Sequence, residues 1–157
     1  MKKPVNFYSE GVRLVGDVYY PDDLKTGAKH AGVVLCHSYT GVKDLYLPDN
    51  ARVLTEHGYV ALTFDYKGWG ESEGPRSRLA PYSRVADVQA ALTFLSTLPE
   101  VDAERLGLYG TSYGGATVVW AGAIDPLNHL PEHRPLEFNR NISLMLRFVA
   151  RRLPALL

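Results

Sequence analysis

The chain has 157 residues, 46% of them apolar, which is one domain's worth of chain with enough hydrophobic material for a single core. Lysine plus arginine and aspartate plus glutamate number 17 each, so bulk charge favours neither nucleic acid nor an anionic membrane as a partner, and the single cysteine, Cys36, excludes an internal disulfide. The first ten residues meet polar and acidic side chains before any apolar run forms, unlike a secretory signal, and no stretch approaches the roughly 18 apolar residues of a membrane span, so a cytoplasmic location is expected.

In chain order, β-rich segments at residues 5–8 and 12–20 flank Ser9-Glu10-Gly11, predicting an antiparallel hairpin that Pro21-Asp22-Asp23 closes. After a polar loop, Ala31-Gly32-Val33-Val34-Leu35-Cys36 is a continuous apolar run, as expected of a strand buried on both faces. His37-Ser38-Tyr39-Thr40-Gly41 follows it. Residues 48–58 read as a helix stopped by Gly58, and residues 59–64 as the next strand. A glycine-rich loop at 65–75 leads to a helix over 82–98, whose Val85, Val88, Ala91, Leu92 and Leu95 share a face and which Pro99 ends. A short acidic link then precedes a strand at 106–109. Strands alternating with helices predict a mostly parallel sheet between helical layers, a three-layer α/β sandwich with an antiparallel hairpin at its start.

That last strand runs into Gly110-Thr111-Ser112-Tyr113-Gly114, and residues 113–124 continue as a helix. Strand, sharp turn and helix are the context of the Gly-x-Ser-x-Gly nucleophile elbow, in which a strained serine stands above a sheet edge and flanking glycines let strand and helix approach closely. Together with His37-Ser38-Tyr39-Thr40-Gly41 and Asp65-Tyr66-Lys67-Gly68-Trp69-Gly70-Glu71-Ser72, each placed after a strand, this chain resembles the α/β-hydrolase superfamily. Within it the likeness is to esterase-like members related to dienelactone hydrolases, acetyl esterases and serine peptidases of this fold. It covers residues 5–125, the N-terminal half of a normal family domain.

The resemblance implies a catalytic Ser112 that forms an acyl-enzyme with a small-molecule ester, and an oxyanion hole made by the backbone N–H groups of Tyr113 and Tyr39. The family's usual His-Gly is His37-Ser38 here. It further implies that His37 organises the loop rather than acting as a base, and that the loop at 65–75 is a structural turn shaped by a pair between Asp65 and Lys67, with Asp65 as catalytic acid the alternative. From the residues themselves, Cys36 reads as an inert core thiol, and His30 and His57 as solvated surface groups. The glycines Gly68, Gly70 and Gly74 miss the dinucleotide spacing because position 73 is Glu73. No metal cluster or cofactor motif is visible, so no cofactor is expected.

A serine needs a base and a group that orients the base, and in this fold both follow the nucleophile in the chain. The strands that would carry them do not appear after Asp125. Pro131 and Pro135 interrupt the sequence, and residues 127–157 hold five arginines, no lysine and two glutamates. Residues 1–125 therefore read as part of a hydrolase domain and 126–157 as an atypical tail, in which Ile142, Met145, Leu146, Val149, Leu153 and Leu156 fall at helical spacing. Two readings follow: a truncated hydrolase that is inactive or an interaction module, or a site in which Asp125 and His129 or His133 replace the missing acid and base. Truncation would leave the strand at 106–109 as an open sheet edge prone to self-association unless the tail helix covers it.

Overall fold

Strand β1 (Lys2–Ser9) and strand β2 (Val12–Tyr19) pair antiparallel from Lys2↔Tyr19 to Ser9↔Val12 in the computed structural model, which describes residues 1–24, 27–124 and 148–149. Glu10 and Gly11 join them with φ of 47° and 77°, the doubly left-handed turn whose twist matches that of the strands it connects. The first strand starts earlier than its apolar residues suggest, because ladder pairing is a backbone property and extends to Lys2.

Strand β3 (His30–Cys36), helix α1 (Leu47–Glu56), strand β4 (Val60–Phe64), helix α2 (Pro81–Ser96), strand β5 (Val101–Gly110) and helix α3 (Tyr113–Ile124) then alternate. With a short β6 (Phe148–Val149), the strands form one sheet in the order β1-β2-β4-β3-β5-β6. The central strands β4, β3 and β5 run parallel, while β2 joins β4 and β6 joins β5 antiparallel. Every residue of β4 is buried, as a strand covered on both faces requires.

The two covering layers are unequal. Leu47 and Ala51 of α1 pack with Ala31, Val33, Leu35 and Ala61 on one face of the sheet. On the other face, Val85, Val88, Ala91, Leu92 and Leu95 of α2 join Val118 and Ala121 of α3 over Val34, Leu62 and Phe64. The expected α/β sandwich is therefore present, with the apolar stripe of α2 buried as its spacing predicts.

Two elements differ from the sequence reading. Strand β5 begins at Val101, in the stretch read as a link, because Val101 and Asp102 pair with His30 and Ala31 before a register shift between Ala31 and Gly32. The expected tail helix is contradicted at Val149. Phe148 and Val149 pair with Leu108 and Gly107 as a strand, since the outer side of β5 offers free N–H and C=O groups that an extended segment can take up. The other residues of that proposed helix, and Asp125, His129 and His133, lie outside the described residues. No helix among the described residues is long and apolar enough to cross a membrane.

Candidate active site at the carboxyl ends of β3 and β5

From β3 the chain leads to α1 on one face of the sheet, and from β5 to α3 on the other, so a crevice opens between the carboxyl ends of these adjacent parallel strands. The segments 37–41 and 110–114 meet there. Ser112 is exposed and sits between β5 and α3 at φ 54°, a left-handed conformation that costs a non-glycine residue on the order of 1–3 kcal/mol. The turn is held by Thr111 N–H donating to Cys36 O at 3.3 Å and Gly114 N–H donating to Thr111 O at 2.9 Å.

Glycine is required on both sides of the serine for want of space. A Cβ on Gly114 would lie 2.5 Å from the His37 carbonyl oxygen and press on that of Cys36, and one on Gly110 would lie 2.7 Å from Gly115 N. Helix α3 therefore abuts the ends of β3 and β5 backbone to backbone. Tyr113 is its first residue, so its N–H has no acceptor within the helix and stands at the positive end of the helix dipole.

The facing loop is fixed through its carbonyls. Ser38 N–H donates to the Tyr46 hydroxyl at 2.8 Å, and Gly41 N–H donates to Ser38 O at 3.2 Å. His37 Nδ1 lies 2.8 Å from the same carbonyl, which can only accept, so Nδ1 carries the proton and Nε2 is the bare nitrogen. Arg84 reaches across from α2 to donate to Tyr39 O at 2.8 Å and, at 3.5 Å, to Ser38 O. Tyr39 itself is 44% exposed, with its ring 5.9 Å from Trp69 and 6.1 Å from Tyr113, so the crevice has an aromatic rim.

His37 is fully buried, edge-on to Tyr66, and organises the loop as expected. Burial, with a smaller contribution from the Arg84 charge and against its bond to Ser38, holds its imidazole at about 4, so it is neutral at neutral pH. The unfolded histidine protonates near 6.5, so stability from this group is complete above that value and is lost as pH falls from about 6.5 to about 4. The loss amounts to about 3 kcal/mol at ~1.36 kcal/mol per pKa unit. In urea titrations at pH 7, 5.5 and 4.5, His37→Asn, whose amide can donate to the same carbonyl, is expected to show a shallower decline than the parent. Equal declines would refute the assignment.

Asp65 does not pair with Lys67. Its carboxylate accepts from Lys43 N–H at 2.7 Å and Glu71 N–H at 3.0 Å, so it joins two loops and, among the described residues, meets no histidine, whereas Lys67 pairs with Glu10 and, at 3.3 Å, with Asp87. Burial pushes the Cys36 thiol up to about 12, in keeping with an inert core group. His30 and His57 border a cleft at the amino ends of the strands, away from Ser112, each with Nδ1 against a backbone carbonyl. Among the described residues, no histidine or carboxylate hydrogen-bonds Ser112, and no three His, Cys, Asp or Glu side chains gather as a metal set.

The sequence reading missed Arg84, Tyr66 and Trp69. The signal for Arg84 was present: it lies four residues before Val88 and eight before Leu92, on the apolar stripe of α2 where a charge is out of place unless it has partners.

Residues 10–130 match the family described as X-Pro dipeptidyl-peptidase (S15 family). An uncharacterized 31.7 kDa protein of the traX-finO intergenic region of Escherichia coli is 40% identical over 117 residues, 74% of this chain and 39% of that protein. Thiohydrolase aneE of Aspergillus aculeatus is 35% identical over 117 residues, 74% of this chain and 35% of that protein. The alpha/beta hydrolase GrgF from Penicillium sp. sh18 superposes with a TM-score of 0.75 and 26% identity, over 81% of this chain and 43% of that one. The chain thus spans about two fifths of the length of these curated relatives.

Proposed function

We propose, on the premise that this chain belongs to the X-Pro dipeptidyl-peptidase (S15) family of α/β hydrolases, that it carries the nucleophile and oxyanion parts of a serine hydrolase site for carboxylic acyl substrates. The observation that carries the reading is Ser112 at φ 54° on a strand-to-helix turn whose flanking glycines have no room for a side chain. Strain of this kind persists only where surrounding structure enforces it, and it presents the hydroxyl to solvent at the crevice.

In the reaction, Ser112 Oγ bonds to the acyl carbon as its proton passes to a base. The carbonyl π electrons move onto oxygen, where the N–H groups of Tyr113 and Tyr39 stabilise the charge. Collapse expels the leaving group, protonated by the same base, and water then releases the acid. Carboxylic esters are the substrate class, and the likeness to a thiohydrolase makes acyl thioesters the second class to assay. The aromatic rim of Tyr39, Trp69 and Tyr113 suits an apolar acyl or leaving group.

The absence of a base beside Ser112 among the described residues favours a second reading, a non-catalytic module that keeps the elbow. A fluorophosphonate probe separates the two, because it phosphonylates only an activated serine. Labelling of folded protein that Ser112→Ala abolishes is the expected result. A folded parent that takes up no probe would sink the hydrolase reading for this chain, and probe uptake unchanged in the alanine variant would place the reactive group elsewhere.

A further inference from the structure

We infer that Arg84 is the positioning residue of the oxyanion hole, one guanidinium that holds both donor residues in register; this rests on the reading of Tyr39 and Tyr113 proposed above. Arg84 is 2% exposed, yet no carboxylate accepts a hydrogen bond from it among the described residues. Its Nη2 donates to the carbonyl of Tyr39 and its Nη1 to that of Ser38, so it pulls on the acceptor side of the segment whose Tyr39 N–H is the donor. The guanidinium also lies 5.4 Å from the Tyr113 ring centroid, 4.3 Å from that of Tyr66 and 5.2 Å from that of Trp69. Aromatic faces thus supply the partners that a buried cation needs.

The geometry makes one side chain bridge two segments that leave the same end of the sheet, from adjacent parallel strands. Tyr39 follows β3, Tyr113 follows β5, and Arg84 belongs to the first turn of α2. An ion pair would have tied the guanidinium to a carboxylate, whereas carbonyls and rings leave its planar fork directed at the loop backbone. Lysine keeps the charge and can still donate to a carbonyl, but from a single nitrogen without the planar, spaced donors of the guanidinium, and methionine keeps only the packing of the stem.

The test uses the whole 157-residue chain with Arg84→Lys and Arg84→Met, each at a temperature where circular dichroism shows it folded. The fluorophosphonate labelling rate is read as a function of probe concentration. The expected result is a fall in the maximal rate, ~100-fold for methionine and within about tenfold of the parent for lysine, with half-saturating probe concentration little changed. Backbone amide NMR is expected to move the Tyr39 and Tyr113 resonances in the same order. A folded variant that labels at the parental rate with parental Tyr39 and Tyr113 shifts overturns the proposal, whatever its stability. If the methionine variant does not fold, the lysine variant decides by the same criteria. If the parent itself takes up no probe, the hydrolase reading fails, while the amide shifts alone still decide whether Arg84 sets this geometry.

Discussion

Gly114→Ala is expected to lower stability by about 3 kcal/mol or more, at or beyond the upper end of ordinary overpacking costs, and to abolish Ser112 labelling in whatever fraction remains folded. Alanine is the best helix former, and position 114 is in the first turn of α3, so intrinsic propensity predicts a small gain. Contact decides otherwise. The new methyl would fall 2.5 Å from the His37 carbonyl oxygen and against that of Cys36, and both are backbone atoms with no rotamer to yield. Cys36 is paired with Gly110 across β3 and β5, and its carbonyl accepts from Thr111 N–H, so displacing it strips the turn that holds Ser112. Relief requires α3 to move away from the sheet, which opens the contact of Val118 and Ala121 with the core. Chemical denaturation of the parent and variant measures the cost, and a variant within 1 kcal/mol of the parent would show that the helix relaxes outward freely, about the size of a tolerated core change.

The backbone frame was legible because it rests on local signals. A continuous apolar run marked β3, one apolar face marked α2, Gly58 marked the end of α1, and the glycines about Ser112 marked the sharp turn. What the sequence concealed are partnerships between residues distant in the chain. Asp65 has a lysine two positions away, so a local pair with Lys67 was the natural expectation, but the carboxylate turns to the amide of Lys43, twenty-two residues earlier. Lys43 in turn is buried against Asp17 at 3.2 Å, a pair no spacing rule proposes. Val149 fits a helical period, yet the open side of β5 takes it and Phe148 as a strand, because edge pairing depends on the sheet already built and not on the period of the tail. Arg84 shows the same limit: its misfit on an apolar stripe was visible, whereas the carbonyls and rings that satisfy it come from three loops.

Those loops depend on Asp65 more than on any ion pair at the surface, and Asp65→Ala is expected to cost about 3–5 kcal/mol. The carboxylate is 1% exposed and accepts from Lys43 N–H at 2.7 Å and Glu71 N–H at 3.0 Å. Each is a hydrogen bond to a charged acceptor, worth ~1.5–3 kcal/mol, and alanine leaves both donors facing apolar space. Gly70 permits the arrangement, since a Cβ there would lie 2.5 Å from Asp65 Oδ1. Burial raises the Asp65 pKa, against the two amides and Lys43, so this residue does not add to the acid sensitivity that His37 confers. A carboxyl whose folded pKa is raised contributes stability that is fully present below its unfolded pKa and is lost as pH rises through the folded one. Its structural value at neutral pH therefore lies in the two bonds, and Asp65→Asn, which keeps one acceptor oxygen and sets an NH2 group against the other donor, should fall between the parent and alanine. Thermal and urea unfolding of the three proteins at pH 7 orders them. The site should follow the same order, because Lys43 extends the loop that bears Tyr39, and Glu71 the loop that bears Trp69, with the two rings 5.9 Å apart at the rim. An Asp65→Ala protein as stable as the parent, with parental Ser112 labelling, would mean that these loops are held from elsewhere.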